Sequence, residues 1–95
     1  MKYYLSKSSR KDKKFMIKSI GGITIHFGQA GASDYTIHKD EDRKKRYILR
    51  HAKNEDWANP QTAGYWSRWV LWHKPTISEA IQSLKQKGIY VINIH

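Results

Sequence analysis

Residues 15–28, FMIKSIGGITIHFG, carry the pattern that decides the fold. Apolar residues occupy every second position of ITIHF at 23–27, which is the period of a strand with one buried face. The run FMIKSI before the glycine pair also indicates a strand, although its inward face stays ambiguous. Gly21 and Gly22 can both adopt positive φ, as a two-residue hairpin turn requires. The stretch therefore predicts a β-hairpin.

Further strands are predicted at both ends of the chain. KYYLS at 2–6 is one candidate, and IYVINI at 89–94 is rich in the β-branched residues that strands favour. Three helices are predicted between the hairpin and the last strand. We therefore expect an α+β fold, in which the N-terminal hairpin and the C-terminal strand form a small antiparallel sheet packed with about three helices. The last strand pairs either with the hairpin or with KYYLS.

Capping residues mark the ends of the predicted helices. Asp40 and Thr62 each precede a helical pattern and can accept hydrogen bonds from its first free amides. Thr76 and Glu79 have the spacing of a capping box at the start of the third helix. Gly88 is suited to the position just after a helix, where the backbone takes the left-handed conformation. The second helix is expected over AGYWSRWVLWHK, ending at Lys74-Pro75.

Composition limits the class of protein. Ninety-five residues predict a single domain, 1–95. The absence of cysteine excludes a disulfide framework and a thiolate zinc site. No apolar run approaches the length of about 20 residues that a membrane span needs, and the N-terminus is charged too early for a signal peptide. We therefore expect a protein that is neither membrane-embedded nor secreted. The net charge of +10 predicts a polyanionic partner, because binding releases counterions.

The basic charge is concentrated in two segments. Residues 40–53, DEDRKKRYILRHAK, place Arg43, Arg46, Arg50 and Lys53 on one stripe of a helix. Ile48, Leu49 and Ala52 lie on the opposite face and are expected to pack against the core. The three acids at the start suit the positive end of the helix dipole.

The second basic segment is the loop SKSSRKDKK after the first strand. The two segments together can straddle a phosphate backbone, and six phosphate contacts would give a log–log salt slope of about −5. Arg68 is expected to project from the second helix. The candidate nucleic-acid-binding residues are Arg10, Lys11, Lys13, Lys14, Arg43, Lys44, Lys45, Arg46, Arg50, Lys53 and Arg68. The simpler interpretation of the loop lysines and of Arg68 is ordinary solvated charge.

The aromatic residues of the second helix have a structural and a functional interpretation. Trp66 and Trp69 recur at helical spacing, which is typical of a core. Trp57 and Trp72 lie outside the tightest pattern and are candidates for a partner interface.

No catalytic site is predicted. Asp34, His38 and His51 can converge on a divalent metal, but no spacing in the sequence brings them together. The acids before Arg43 are explained by helix electrostatics, and no glycine-rich phosphate loop is present. We assign no catalytic residue, no metal and no cofactor, and keep a metal-dependent nuclease as the third hypothesis.

A family resemblance indicates the biological setting of the protein. The pieces that carry it are HFG at 26–28, DYT at 34–36, HKD at 38–40, RYILRH at 46–51 and GYWSRWVLWHKPT at 64–76. In these, over roughly residues 14–84, the chain resembles a small family of uncharacterised proteins encoded by large nucleocytoplasmic DNA viruses. The resemblance implies a viral protein in the virion or the infected cell, and carries over no catalytic residue.

The first hypothesis is a small basic domain that binds nucleic acid, double-stranded DNA foremost, largely through phosphates and without sequence specificity. The alternative is a minor capsid or other structural protein, whose aromatic residues anchor a viral protein partner. The sequence leaves open whether the partner is DNA, RNA or an acidic protein, and what the oligomeric state is.

Overall fold

The described chain, residues 2–94 of a computed structural model, folds into one sheet and four helices. The strands are β1 (Lys2–Lys7), β2 (Lys13–Ser19), β3 (Thr24–Gln29) and β4 (Tyr90–Asn93). The helices are α1 (Tyr35–His38), α2 (Glu41–His51), α3 (Ala63–Trp66) and α4 (Ile77–Leu84). A π-helical segment (Ser67–Leu71) continues α3, and a 3₁₀ turn (Lys85–Lys87) follows α4. The α+β fold class is confirmed.

The sheet has the strand order β3-β2-β1-β4. β1 and β2 pair antiparallel, as do β2 and β3, which agrees with the expected arrangement. β4 differs from it, because β4 pairs parallel with β1 in a register that places Tyr3 beside Val91. A parallel neighbour needs a long crossover connection, and the four helices between the hairpin and β4 supply it. The KYYLS strand is therefore the partner of the last strand.

The hairpin between β2 and β3 is confirmed, but its turn is longer than predicted. Ile17 lies opposite Ile25, and the Ser19 amide donates to the Ile23 carbonyl over 2.9 Å. Three residues, 20–22, therefore form the loop. Only Gly22 has a positive φ, +93°, as expected for a turn closed by one left-handed residue.

One face of the sheet holds the core. Leu5 and Phe27 are fully buried on β1 and β3, and Ile17 on β2 is 1% exposed. The predicted core role of Trp66 is confirmed, since its side chain is fully buried with its ring 4.9 Å from that of Tyr3. Trp69 is partly buried and packs against this cluster. Burial of such rings is the largest apolar contribution that a chain of this size can make.

The helical region differs from the prediction in two places. A short helix, α1, separates the hairpin from α2, because Asp34 accepts hydrogen bonds from the Thr36 amide and hydroxyl. The tryptophan helix ends at Leu71 rather than Lys74. Its last part is π-helical, with the Trp72 amide donating to the Ser67 carbonyl five residues earlier.

Candidate nucleic-acid interface

The α2 helix begins as the sequence predicts. The Asp40 carboxylate accepts hydrogen bonds from the amides of Asp42 and Arg43, over 2.9 and 3.3 Å. These amides hold the pKa of Asp40 below its usual value, with a smaller contribution from the charge of Arg46. The acids at this end therefore serve the helix terminus.

The arginine stripe of α2 is exposed. Arg43, Arg46 and Arg50 are all solvent-accessible. Among residues 2–94, the ion pairs of the acidic side chains are with Arg10, Lys14 and His51, and none is with these three arginines. Their guanidinium groups therefore remain available to an external anion.

The face by which α2 packs differs from the predicted one. Leu49 is 74% exposed, and Ala52 is also exposed. Tyr47 is the buried residue of α2. Its ring stacks on Trp72 with centroids 4.2 Å apart and planes 2° apart. Of the predicted packing face, Ile48 is partly buried, whereas Leu49 and Ala52 are exposed. The main packing residue is instead an aromatic ring on the stripe side, which contacts two tryptophans.

Trp57 and Trp72 have intramolecular contacts. The Trp57 ring stacks on the Tyr47 ring, with centroids 6.3 Å apart and planes 14° apart. The Trp72 ring also contacts the His38 ring, with centroids 5.3 Å apart. Both tryptophans are partly exposed. Their contact with a partner protein stays a prediction, and their first role is to hold α2 against the domain.

Lys14 is the one predicted site residue whose charge is paired inside the protein. Its ammonium contacts the carboxylate of Asp34, and the two side chains are 14% and 3% exposed. The pair joins β2 to the start of α1. Arg10, by contrast, folds back on Asp12 at 2.8 Å on the exposed loop, where such a pair contributes little to stability.

The two basic segments meet at a cleft. This basic cleft, of about 500 Å³, is lined by Lys13 and Lys14 from β2 and by Arg43 and Arg50 from α2. His51, Tyr47 and Trp72 also contribute to its lining. The tertiary fold thus brings together charges that are about thirty residues apart in the sequence.

A second cavity extends the basic surface along the N-terminal loop. It has a volume of about 580 Å³, and Lys7, Arg10 and Lys11 line it together with Lys13 and Lys14. The two cavities share Lys13, Lys14 and Asp34. A continuous path of basic side chains therefore runs from the loop to α2.

Other predicted basic residues lie outside this path. Lys45, Arg46 and Lys53 are exposed but line neither cavity. Lys44 donates to the His73 carbonyl over 2.7 Å, and its ammonium lies 4.7 Å from the Tyr35 ring centroid. Burial lowers the pKa of Lys44, with the charge of Arg68 as a further cause.

Arg68 does not project into solvent as expected. Its guanidinium lies 4.5 Å from the Trp69 ring centroid and 5.4 Å from that of Trp57. It donates to the Trp72 carbonyl over 2.9 Å, near the end of the π-helical segment. Burial lowers its pKa. The aromatic rings accommodate this cation because their faces are electron-rich.

The histidines and acids form no metal-binding group within residues 2–94. Of the candidate set of Asp34, His38 and His51, Asp34 and His51 line the same cleft, but Asp34 pairs with Lys14 and His51 lies 3.7 Å from Glu55. The His38 ring accepts a hydrogen bond from the Asp40 amide over 2.9 Å. His95 lies outside the described residues.

His73 is half-buried beside several cations. Burial lowers its pKa to about 4, and the charge of Arg68 contributes. The ring packs edge-on against Trp69 with centroids 5.0 Å apart. His73 is therefore neutral at pH 7.

Three contacts of this region were not expected from the sequence. These are the stacking of Tyr47 on Trp72, the pair of Lys14 with Asp34, and the position of the Lys87 ammonium 3.1 Å from the Trp69 ring centroid. The separation of 25 residues between Tyr47 and Trp72 leaves no periodic signal. The sequence signal that could have indicated this contact is Tyr47, an aromatic residue within the basic stripe.

The fold and the cleft define a small basic α+β domain in which basic side chains from β2 and α2 line one cleft. Residues 3–51 match a family of unknown function, DUF5754, and the chain belongs to that family. The match runs from β1 to the end of α2 and so includes the basic loop and the arginines of the stripe, but not Lys53. No curated protein and no solved structure matches the chain. Within residues 2–94, no helix is both long and apolar enough to cross a bilayer.

Proposed function

We propose that this protein binds nucleic acid, largely through phosphates and without sequence specificity, at the basic cleft. The observation that carries the proposal is the lining of one cleft by Lys13, Lys14, Arg43 and Arg50. Phosphates bind well to guanidinium and ammonium groups, which form charge-assisted hydrogen bonds. Four cations and two acids, Asp34 and Glu55, line this cleft, so its net charge is positive. A cleft of net positive charge concentrates the field that attracts a polyanion.

The two acids of the cleft offset only part of this charge. Asp34 is engaged by Lys14, and Glu55 lies beside His51. Arg43 and Arg50 remain without an acidic partner among residues 2–94. The surface therefore keeps two free guanidinium groups at the cleft, flanked by the loop lysines.

Fluorescence anisotropy with labelled DNA tests the proposal. We expect salt-sensitive binding at about 50 mM salt, and Arg43→Gln with Arg50→Gln should lower the log–log salt slope by about 2, since each phosphate contact contributes about 0.9. Lys2→Gln with Lys18→Gln is the matched control, because it removes the same charge from exposed positions away from the cleft.

Two results would count against the cleft. Absence of binding at low salt to both single-stranded and duplex DNA would refute the function. Equal weakening by the two double variants would show that total charge, rather than the cleft, determines binding.

A structural interaction role is the second candidate. Tyr90 and Ile92 on the edge strand β4 are 51% and 40% exposed, and Ile94 just after it is 63% exposed. An exposed apolar edge strand suits pairing with another chain. In this role Trp57 and Trp72 contribute their exposed edges to a viral structural protein. Recovery with the protein shell, and not with the genome, after gentle disruption of particles would support it.

The viral setting is part of the proposal and rests on the family resemblance of the sequence. We expect the protein in particles of a large DNA virus or in the infected cell. Mass spectrometry of purified virions and of infected-cell fractions tests this location. Absence of its peptides from both would refute it.

A further inference from the structure

A third cavity lies near the basic cleft, along the loop of residues 55–60. Glu55 lines the cleft, whereas Trp57 and Pro60 line a cavity of about 480 Å³ whose other walls include Tyr65 and Trp69. We call this cavity the aromatic pocket. Its volume is within the range of sites for small ligands.

The walls of the aromatic pocket are held in place by hydrogen bonds. The Trp69 indole N–H donates to the Trp57 carbonyl over 2.8 Å, and the Trp66 indole N–H donates to the Pro60 carbonyl over 2.8 Å. Trp66 is fully buried in the core. The loop that forms one side of the pocket is therefore fixed to the core, so this wall is in place before any ligand binds.

The charged side chains around the pocket indicate the sign of the charge on its ligand. Among the described residues that line it, Lys87 alone carries a charge. Its ammonium lies 3.1 Å from the Trp69 ring centroid, and the Arg68 guanidinium lies 4.5 Å from the same centroid. A cationic ligand would meet two cations there. An anionic ligand with a planar ring can stack on the aromatic walls and pair with Lys87.

The pocket and the basic cleft are connected through one ring. Tyr47 lines the cleft and stacks on Trp57 at 6.3 Å, and Trp57 lines the pocket. Within the described part of the chain, the two cavities share no lining residue, and this pair of stacked rings lies between them. Only a chain that carries both phosphates and planar rings satisfies both surfaces.

We propose that the aromatic pocket receives an unstacked nucleobase from a strand whose phosphates occupy the basic cleft. The inference rests on the proposed function and specifies its ligand as single-stranded nucleic acid. Lys87 moves from the Trp69 ring to the phosphate beside the bound base. Bases of a duplex are paired and stacked, so they do not enter the pocket unless they are extruded.

Anisotropy measurements with three oligonucleotides of about 12 nucleotides test the inference. These are a single strand, an abasic strand of the same length, and a duplex. Because base–aromatic stacking is sequence-tolerant, we expect the single strand to bind about 5- to 150-fold more tightly than the abasic strand. Quenching of tryptophan fluorescence should accompany binding of the single strand.

Lys87→Glu provides the matching variant. It should weaken binding of the single strand, because Lys87 pairs with the phosphate beside the bound base, whereas Lys85→Glu should weaken binding less. Both residues are exposed in the same 3₁₀ turn, and Lys85 does not line the pocket. Trp57→Leu, with its thermal stability checked, should reduce the preference for the single strand over the abasic strand, because it removes an aromatic wall.

The outcomes separate the two proposals. Equal binding of single and abasic strands by the unmodified protein, with Arg43 and Arg50 still required, overturns the base pocket and leaves phosphate binding intact. Failure of all three oligonucleotides to bind overturns both. Quenching by a proline-rich peptide, without any preference for bases, would instead assign the pocket to a protein partner.

Discussion

Replacing Tyr47 by alanine should destabilise the domain far more than any other single change on the exposed helix α2. The Tyr47 side chain is 7% exposed, and its ring stacks on Trp72 at 4.2 Å. Truncation of a buried aromatic residue costs about 3–5 kcal/mol. We expect about 3–4 kcal/mol here. That is a large fraction of the total stability, about 5–14 kcal/mol for a chain of this length.

Urea denaturation followed by tryptophan fluorescence measures this effect. With an m value of about 1.5–2 kcal/mol per molar, the Tyr47→Ala midpoint should fall by about 2 M. Leu49→Ala is the matched control on the same helix, because Leu49 is 74% exposed. Its expected effect is within about 0.5 kcal/mol. Tyr47→Phe should remain close to the unmodified protein, since it keeps the stacked ring.

The comparison also has a functional readout. If α2 is held only through Tyr47, its loss should weaken DNA binding, because Arg43 and Arg50 no longer face the β2 lysines. Leu49→Ala should bind DNA normally. Similar destabilisation by Tyr47→Ala and Leu49→Ala would show that α2 packs by its aliphatic face, and would refute the role given to the stack.

Three further predictions concern the scaffold. Gly28→Ala should lower the free energy of unfolding by about 2–4 kcal/mol, since φ is +77° and the new Cβ would lie 2.9 Å from the Leu71 side chain. Gly31→Ala, at φ +83° but with no atom within 4 Å of the new Cβ, should lower it by about 1–2 kcal/mol. Equal urea midpoints for the two variants would contradict the steric contribution at Gly28. Thr76→Ala should cost about 1 kcal/mol because the Glu79 amide loses its acceptor, and Thr76→Ser should restore most of it in the same assay. The pKa of His73 is lowered to about 4 in the folded protein, so the unfolded protein binds this proton more readily. The free energy of unfolding should therefore fall as the pH decreases from about 6.5 to 4. The corresponding fall in urea midpoint should be smaller in His73→Phe, and an unchanged fall would exclude His73 as the cause.

The elements were predictable wherever local signals were strong. The hairpin follows from alternation beside a glycine pair, and α4 follows from the Thr76 cap, with Gly88 in the left-handed conformation at φ +77°. The parallel pairing of β4 was not predictable, since β-rich composition does not specify a partner or its direction. The π-helical continuation of α3 also leaves no periodic trace over five residues.

The site was predictable in its charge and not in its geometry. Arg43 and Arg50 follow from the helical spacing of α2, and Lys13 and Lys14 follow from composition. Their common cleft depends on how α2 docks, which the Tyr47 ring decides. The interior position of Arg68, between Trp57 and Trp69, was likewise decided by packing.

The sequence by itself determined the fold class, the hairpin, the capped helices and a surface rich in cations. These properties depend on neighbours within a few residues, where periodicity, capping and charge act directly. The tertiary structure decided which cations meet, which are paired, and where the aromatic pocket opens beside them. Lys14 pairs with Asp34, which lies 20 positions away, and Lys13 lines the same cleft as Arg50, which lies 37 positions away. Only the packing of buried rings and the return of the chain across the sheet bring them together.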